Sequence, residues 1–371
     1  MTDIQSTDFR VTCAPHHNHQ DTAQYEVATQ LWFDQILKRS FQCPETPQTR
    51  MQLRTTEGVP LISVLPDLTK PVLSVDIFYT QQGQIDGEKD DRNNTTARFW
   101  HHVAGTSNGG GDGWTGKLPL LSTDKPLWVY ANVTYALKET VTAAGYYFNT
   151  YSTDVFNLSS LMWMVSPEQL QESGVESTRQ PSHRIESFEG DWQKEWYSYK
   201  SDAWPRQTHK LHDPQWAAPK DAQLAIDVQS DKPNSFVIGL DDFAAEVELT
   251  GGADWQTILL AAADFKDAKG NALTDWQGIK ELRLGDQETL KDDDHRHVLG
   301  DRWQGDPPKL RDLRWIDLAA EQGPSAGSAA SAIRSDVSDS SLVAQHNMTW
   351  GRVPHRWQVW LDIESVKGRM K

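Results

Sequence analysis

Short runs of β-branched and aromatic residues, each closed by a cluster of turn formers, fill most of the chain between Met51 and Ile316. No other feature constrains the fold as strongly. From about Met51 to Val165 the runs are LISVL, VLSVDIFYT, ARFWHHVAG, GWTGKLPLL, LWVYANVTYAL and AAGYYFNTYST, with GEKDDRNN and GTSNGGGDG among the breaks. A second series from about Ser187 to Ile316 contains WQKEWYSYK, AQLAIDVQS, SFVIGL, AAEVELTGG, WQTILLAAADF, IKELRLG and LRDLRWIDL, with turns at DKPN and DAKGN. Helical periodicity is missing from the first series, so the pattern predicts a mainly β fold, its first part a sandwich of immunoglobulin-like size. SPEQLQESGVESTRQPSHR, between the two, reads as a short helix and a polar linker.

The first 45 residues follow a different plan. Phe9, Val11 and Cys13 alternate with polar residues as in a half-buried strand, and the loop PHHNHQD follows. Asp21 is placed to cap a helix, with Gln24 three positions on completing a capping-box pattern. Ala28, Leu31, Trp32 and Ile36 fall on one face at helical spacing, Lys38 and Arg39 suit the C-terminal end of the helix dipole, and Pro44 ends the run.

Charge narrows the partners. The formal net charge of −16 argues against nucleic acid and against anionic membrane, because both recruit basic surfaces. No apolar run approaches the roughly 20 residues of a membrane-spanning helix. The start, MTDIQSTDFR, has neither the basic nor the apolar part of a signal peptide, so it assigns no compartment. Cys13 and Cys43 are the only cysteines, too few for a disulfide scaffold or a thiolate zinc site, and two buried thiols are favoured over one bridge. Beyond Ala319 the composition turns to GPSAGSAASA, a flexible tract, before WGRVPHRWQVWLDI offers a last alternating strand.

Several motifs invite a chemical reading. GPSAG, Gly323 to Gly327, matches the nucleophile-elbow spelling, but that elbow needs a buried strand before the serine and a helix after it, so here it is a chance match. DDDHRH, Asp292 to His297, reads as a solvated turn, since neighbouring loop residues cannot all face one ion. Asp241, Asp242 and Glu246 are weak calcium candidates at strand ends. His16, His17 and His19 with Asp21 have no known metal-ligand spacing, and no cofactor or metal site is expected. A histidine in a loop between a strand and an amphipathic helix is, however, where a hydrolase triad puts its base.

On those residues the chain resembles a known family. PHHNHQDTAQYEVATQLWFDQILK, then FQCPETPQTRMQLRTTEGVPLISVLPD and VLSVDIFYTQQG, looks like the C-terminal part of bacterial α/β-hydrolases of the dienelactone hydrolase and acetylxylan esterase type. In plan it is also similar to the PhoPQ-activated pathogenicity-related proteins, in which a β domain follows the hydrolase. There TARFWHHVAGTS and GWTGKLPLLSTDKPLWVYANVTY resemble paired strands. The resemblance spans residues 8 to about 165 and implies that His19 is the triad base, with His16 as second choice. It implies too that the nucleophile and acid belong to an upstream hydrolase chain or region, and without them this chain does not hydrolyse esters.

FEGDWQKEWYSY, LAIDVQSDKPNSFVIGL and WQTILLAAADFKDAKGNALTDWQGIKELRLG resemble, more loosely, the galactose-binding-like jelly rolls of carbohydrate-binding modules. That likeness, with 16 tryptophans in the chain, makes Trp192, Trp196, Tyr197, Tyr199 and Trp204 candidates for stacking on a carbohydrate ligand; the alternative is that they fill the seam between two domains. The expected organisation is an incomplete α/β-hydrolase strand, loop and helix at 1–45, an immunoglobulin-like β-sandwich at 46–165 and a linker at 166–186. A jelly-roll sandwich at 187–318 and a tail at 319–371 complete it. Two functions fit this plan: the distal portion of a serine ester hydrolase with accessory β-sandwiches, or a noncatalytic β-sandwich protein that binds carbohydrate or protein.

Overall fold

Alternating aliphatic residues in LISVL and VLSVDIFYT are long enough to line one face of a sheet, and they pair as strands should. The computed structural model describes residues 9–16, 22–83, 97–109, 113–145, 149–198 and 203–317. One sheet runs in the order β1 (Gln48–Gln52), β2 (Leu61–Leu65), β6 (Trp114–Lys117), β5 (Thr106–Ser107). A second runs β4 (His101–Ala104), β3 (Val72–Thr80), β7 (Leu127–Ala144), β8 (Thr150–Ser159), with β9 (Trp163–Val165) also paired to β7. All these pairs are antiparallel. Ile62 and Val64 of one sheet share a buried cluster with Val75, Ile77, Val129 and Val133 of the other. The two sheets approach so closely at Gly116 that a Cβ there would overlap Ile77 Cδ1.

Helix α1 (Ala23–Phe33) covers the far end of this sandwich, against β7 and β8. Val27, Ala28 and Leu31 enter the first core and Trp32 lies against it. Its cap is Thr22, whose hydroxyl accepts from Tyr25 N at 3.3 Å, one residue beyond the expected Asp21. After Phe33 the helix opens into a π turn, Asp34–Lys38, and ends at Arg39 with φ 53°. That wider turn swings Ile36 out of the predicted face: Phe33, Ile36 and Leu37 are exposed. Val11 to Cys13 form no strand in the sheet, but the segment bonds along β8, Ser159 N donating to Val11 O at 2.7 Å and Thr12 Oγ1 to Asn157 O at 3.0 Å.

The second series builds another sandwich. One sheet has the order β10 (Arg184–Glu186), β19 (Lys309–Ile316), β12 (Gln223–Gln229), β15 (Gln256–Leu260). The facing sheet has β11 (Arg206–Thr208), β16 (Leu282–Gly285), β13 (Asn234–Leu240), β14 (Phe243–Leu249). Leu224, Ile226, Ile258, Leu313 and Trp315 meet Phe236, Ile238, Ala245 and Leu284 across a second core. The fold is therefore mainly β, two antiparallel sandwiches with few helical turns. Helix α2 (Pro167–Glu172) follows the first sandwich and buries Leu170 in its core, started by a complete capping box on Ser166 and Gln169.

Residues 10–318 make one compact unit by their contacts. Phe99, just before β4, belongs to the second core, where its ring meets Trp216 edge-on at 5.1 Å. Neither cysteine is in a disulfide; Cys43 is buried and Cys13 half-buried. No helix among the described residues is long and apolar enough to cross a membrane. GPSAG and the C-terminal strand pattern lie outside the described residues.

Candidate functional site

Of the residues singled out for chemistry, His17, His19, Asp21 and Tyr199 lie outside the described residues. His16 is buried, at φ 64°, with its ring 5.4 Å from Phe99 and nearly parallel to Tyr197 at 6.4 Å. The second-choice triad base thus meets the aromatic edge of the second sandwich.

The four described aromatic candidates divide sharply. WQKEWYSYK, expected as a strand, begins with a 3-10 turn, Trp192–Glu195, that turns successive side chains in different directions. Trp196 and Tyr197 point inward, only 4% and 3% exposed, and present no ring face to solvent. Trp196 Nε1 donates to Glu186 Oε2 at 2.9 Å, and the Tyr197 hydroxyl sits between Glu281 Oε1 and His209 Nε2. Trp192 and Trp204, by contrast, are partly exposed and line one groove.

The groove has a volume of about 460 Å³ and opens to solvent between the two sheets of the second sandwich. Such a volume is ordinary for a small-molecule site, which runs roughly 300–1,000 Å³. Trp192 and Gln193 come from the 3-10 turn, Trp204 and Arg206 from the entry to β11, and Pro307, Pro308, Lys309 and Leu310 from the entry to β19. The walls are braced from behind. Trp192 meets Phe188 at 5.1 Å and Trp196 at 5.8 Å, both edge-on. Trp204 stacks on core Phe236 at 5.9 Å and meets Trp303 at 4.9 Å. Two prolines with fixed φ stiffen the remaining side.

In the seam between the sandwiches lies a group of charges that sequence reasoning missed. Lys210 Nζ, 3% exposed, bonds Glu186 Oε2 at 2.6 Å and Glu195 Oε2 at 2.7 Å, and lies 4.9 Å from the Trp216 ring centre. Burial would raise the Glu195 carboxyl, but the Lys210 charge overrides it, helped by His101 and by the backbone N–H of His102, and holds it at about 2. His101 Nε2 faces Asp213 Oδ2 at 3.2 Å; burial pushes this imidazole down even though Asp213 pulls it up. Alongside, Asp76 accepts from His102 Nε2 at 2.8 Å and Lys194 Nζ at 2.9 Å, which outweigh burial and hold it at about 2. Apart from the partly exposed Lys194 these groups are buried, and the pairs His101–Asp213 and Asp76–Lys194 join the first sandwich to the second.

The remaining candidates are engaged locally. Asp241 accepts from the backbone of Lys280 and Glu281, and Glu246 from Ser235 Oγ. Asp292 caps the turn of the hairpin β17 (Glu288–Lys291) and β18 (Arg296–Leu299) by accepting from Asp294 N and His295 N. No group of three or more metal-type ligands converges among the described residues. No protein-family model matches the chain, and no curated protein matches it either.

Proposed function

We propose that the second sandwich binds carbohydrate in the groove of Trp192 and Trp204, as an accessory to the ester hydrolysis that the N-terminal resemblance implies, carried out by an upstream hydrolase chain or region. The observation that carries the binding part is the pair of partly exposed indoles, fixed by Phe188, Phe236 and Trp303, on the walls of one solvent-open groove. A pyranose has an apolar C–H face that stacks on a flat aromatic ring, and the ring must be rigid so that no rotamer freedom is lost on binding. Gln193 adds an amide that both donates and accepts, suited to sugar hydroxyls.

Affinity electrophoresis through gels containing xylan, cellulose or pectin tests the reading. Retardation on at least one glycan, weakened by Trp192→Ala, is the expected result. Unretarded migration on all of them counts against it.

A further inference from the structure

The groove is cationic on an anionic protein. The chain carries 52 aspartates and glutamates against 36 lysines and arginines, yet the residues lining the groove include Arg206 and Lys309 and no carboxylate. The two cations come from opposite sheets, Arg206 opening β11 and Lys309 opening β19, so they flank the groove from two directions.

Arg206 differs from three other arginines of the second sandwich. Arg283 is paired with Glu281 and Glu288, Arg311 with Asp227, and Arg314 with Asp312. Arg206 has no carboxylate partner among the described residues. Its Nη1 donates instead to the backbone carbonyls of Ala203 and Pro205, which fixes the guanidinium plane. The opposite edge, Nε–H and Nη2–H, is the pair of parallel donors that matches a carboxylate in a two-point fork. A fixed, partly desolvated cation with no counter-charge is costly to maintain in the free protein, and an arriving anion offsets that cost. Burial already disfavours its charged form.

We infer that the ligand of this groove is an acidic saccharide, a glycan bearing uronate carboxylates, whose ring stacks on Trp192 or Trp204 while its carboxylate pairs with Arg206 and Lys309. The inference rests on the carbohydrate reading above and adds the charge of the sugar. It also reconciles the protein's net charge with its ligand: the anionic body repels polyanions in general, and only a carboxylate that enters the groove reaches the cations.

Isothermal titration of the full chain with an oligogalacturonate and with a xylo-oligosaccharide carrying glucuronate, each beside its methyl ester, tests the inference. At least one acid should bind about tenfold more tightly than its ester, the scale of one charge-assisted fork. Arg206→Gln or Lys309→Met should bring the affinities for acid and ester to within about twofold of each other, whatever each substitution does to the absolute affinity for the ester. Lys309 is exposed, so its variant keeps the test valid if Arg206→Gln disturbs the loop. Equal affinity for acids and esters, or an advantage that survives both variants, overturns the inference and leaves carbohydrate binding standing. No binding of any of the four overturns the inference, and the electrophoresis on xylan, cellulose and pectin then decides the carbohydrate reading.

Discussion

Replacing Lys210 with methionine should strongly destabilise the protein at neutral pH. The substitution keeps the volume of the stem but removes a charge shared by Glu186 and Glu195, leaving two buried carboxylates without a cation. Two routes give the size of the effect. Depression of the Glu195 carboxyl from 4.5 to about 2 corresponds to roughly 3 kcal/mol of folded-state preference for its ionised form. Removing one member of a buried ion pair costs about 3–5 kcal/mol in general. The expected loss, about 3–5 kcal/mol, is a large share of the roughly 5–15 kcal/mol that holds a typical domain together. The pH dependence adds a signature. In the native protein the Glu195 contribution is fully present above 4.5 and is lost as the pH falls towards 2. Without Lys210, burial raises the Glu195 carboxyl, so the variant takes up a proton on folding and its deficit shrinks between pH 7 and pH 5. Urea unfolding followed by tryptophan fluorescence at those two pH values reads both effects. The triple variant Lys210→Met/Glu186→Gln/Glu195→Gln should recover most of the loss. A deficit below about 1 kcal/mol for Lys210→Met, equal at both pH values, would refute the reasoning.

Other perturbations follow from the same geometry. Gly116→Ala should cost about 1–3 kcal/mol, because the new methyl overlaps Ile77 Cδ1 and crowds Val103 Cγ1 at 3.2 Å; a thermal midpoint equal to the parent's would show that the sandwich is looser than described. Stability should fall as the pH drops below about 6.5, where unfolded histidines protonate but buried His101 and half-buried His209 resist. A flatter midpoint-against-pH curve for His101→Gln checks the assignment, and an unchanged slope contradicts it. Trp192→Ala should weaken glycan binding roughly tenfold, the loss of about 60 Å² of apolar contact at 25 cal/mol/Å², while circular dichroism stays native. The chain alone should give no serine-dependent turnover of an aryl ester, and inhibitor-sensitive hydrolysis would defeat the incomplete-triad reading.

The sheets were legible because their signal is local. β2, β3, β12 and β13 coincide closely with runs of alternating or continuous aliphatic residues, and period 2 survives any arrangement of the sheets. Helix α1 was legible in kind but not in detail. Its face assumed an undisturbed 3.6-residue period, and the π turn at Asp34–Lys38 broke that period before Ile36. WQKEWYSYK misled for a different reason. Its aromatic content favours strands, yet Trp192–Glu195 bends into a 3-10 turn because Trp192 and Trp196 serve different surfaces, one the groove and one the core. The buried charges left no mark at all. His101 and Asp213 are 112 residues apart, and Lys210 and Glu186 are 24, so no spacing rule joins them. The groove was half legible, since Trp192 and Trp204 stood among the candidates, but Arg206, Pro307 and Lys309 reach it through the order of the strands, which period and composition do not encode.

The most direct test of carbohydrate binding in the groove is a titration of the indole N–H resonances with an acidic oligosaccharide, assigned by single Trp→Phe variants. The account predicts that the Trp192 and Trp204 signals move together and saturate, while those of buried Trp196, Trp216 and Trp315 stay in place. Saturating shifts confined to other tryptophans, or no shift in any, would contradict it.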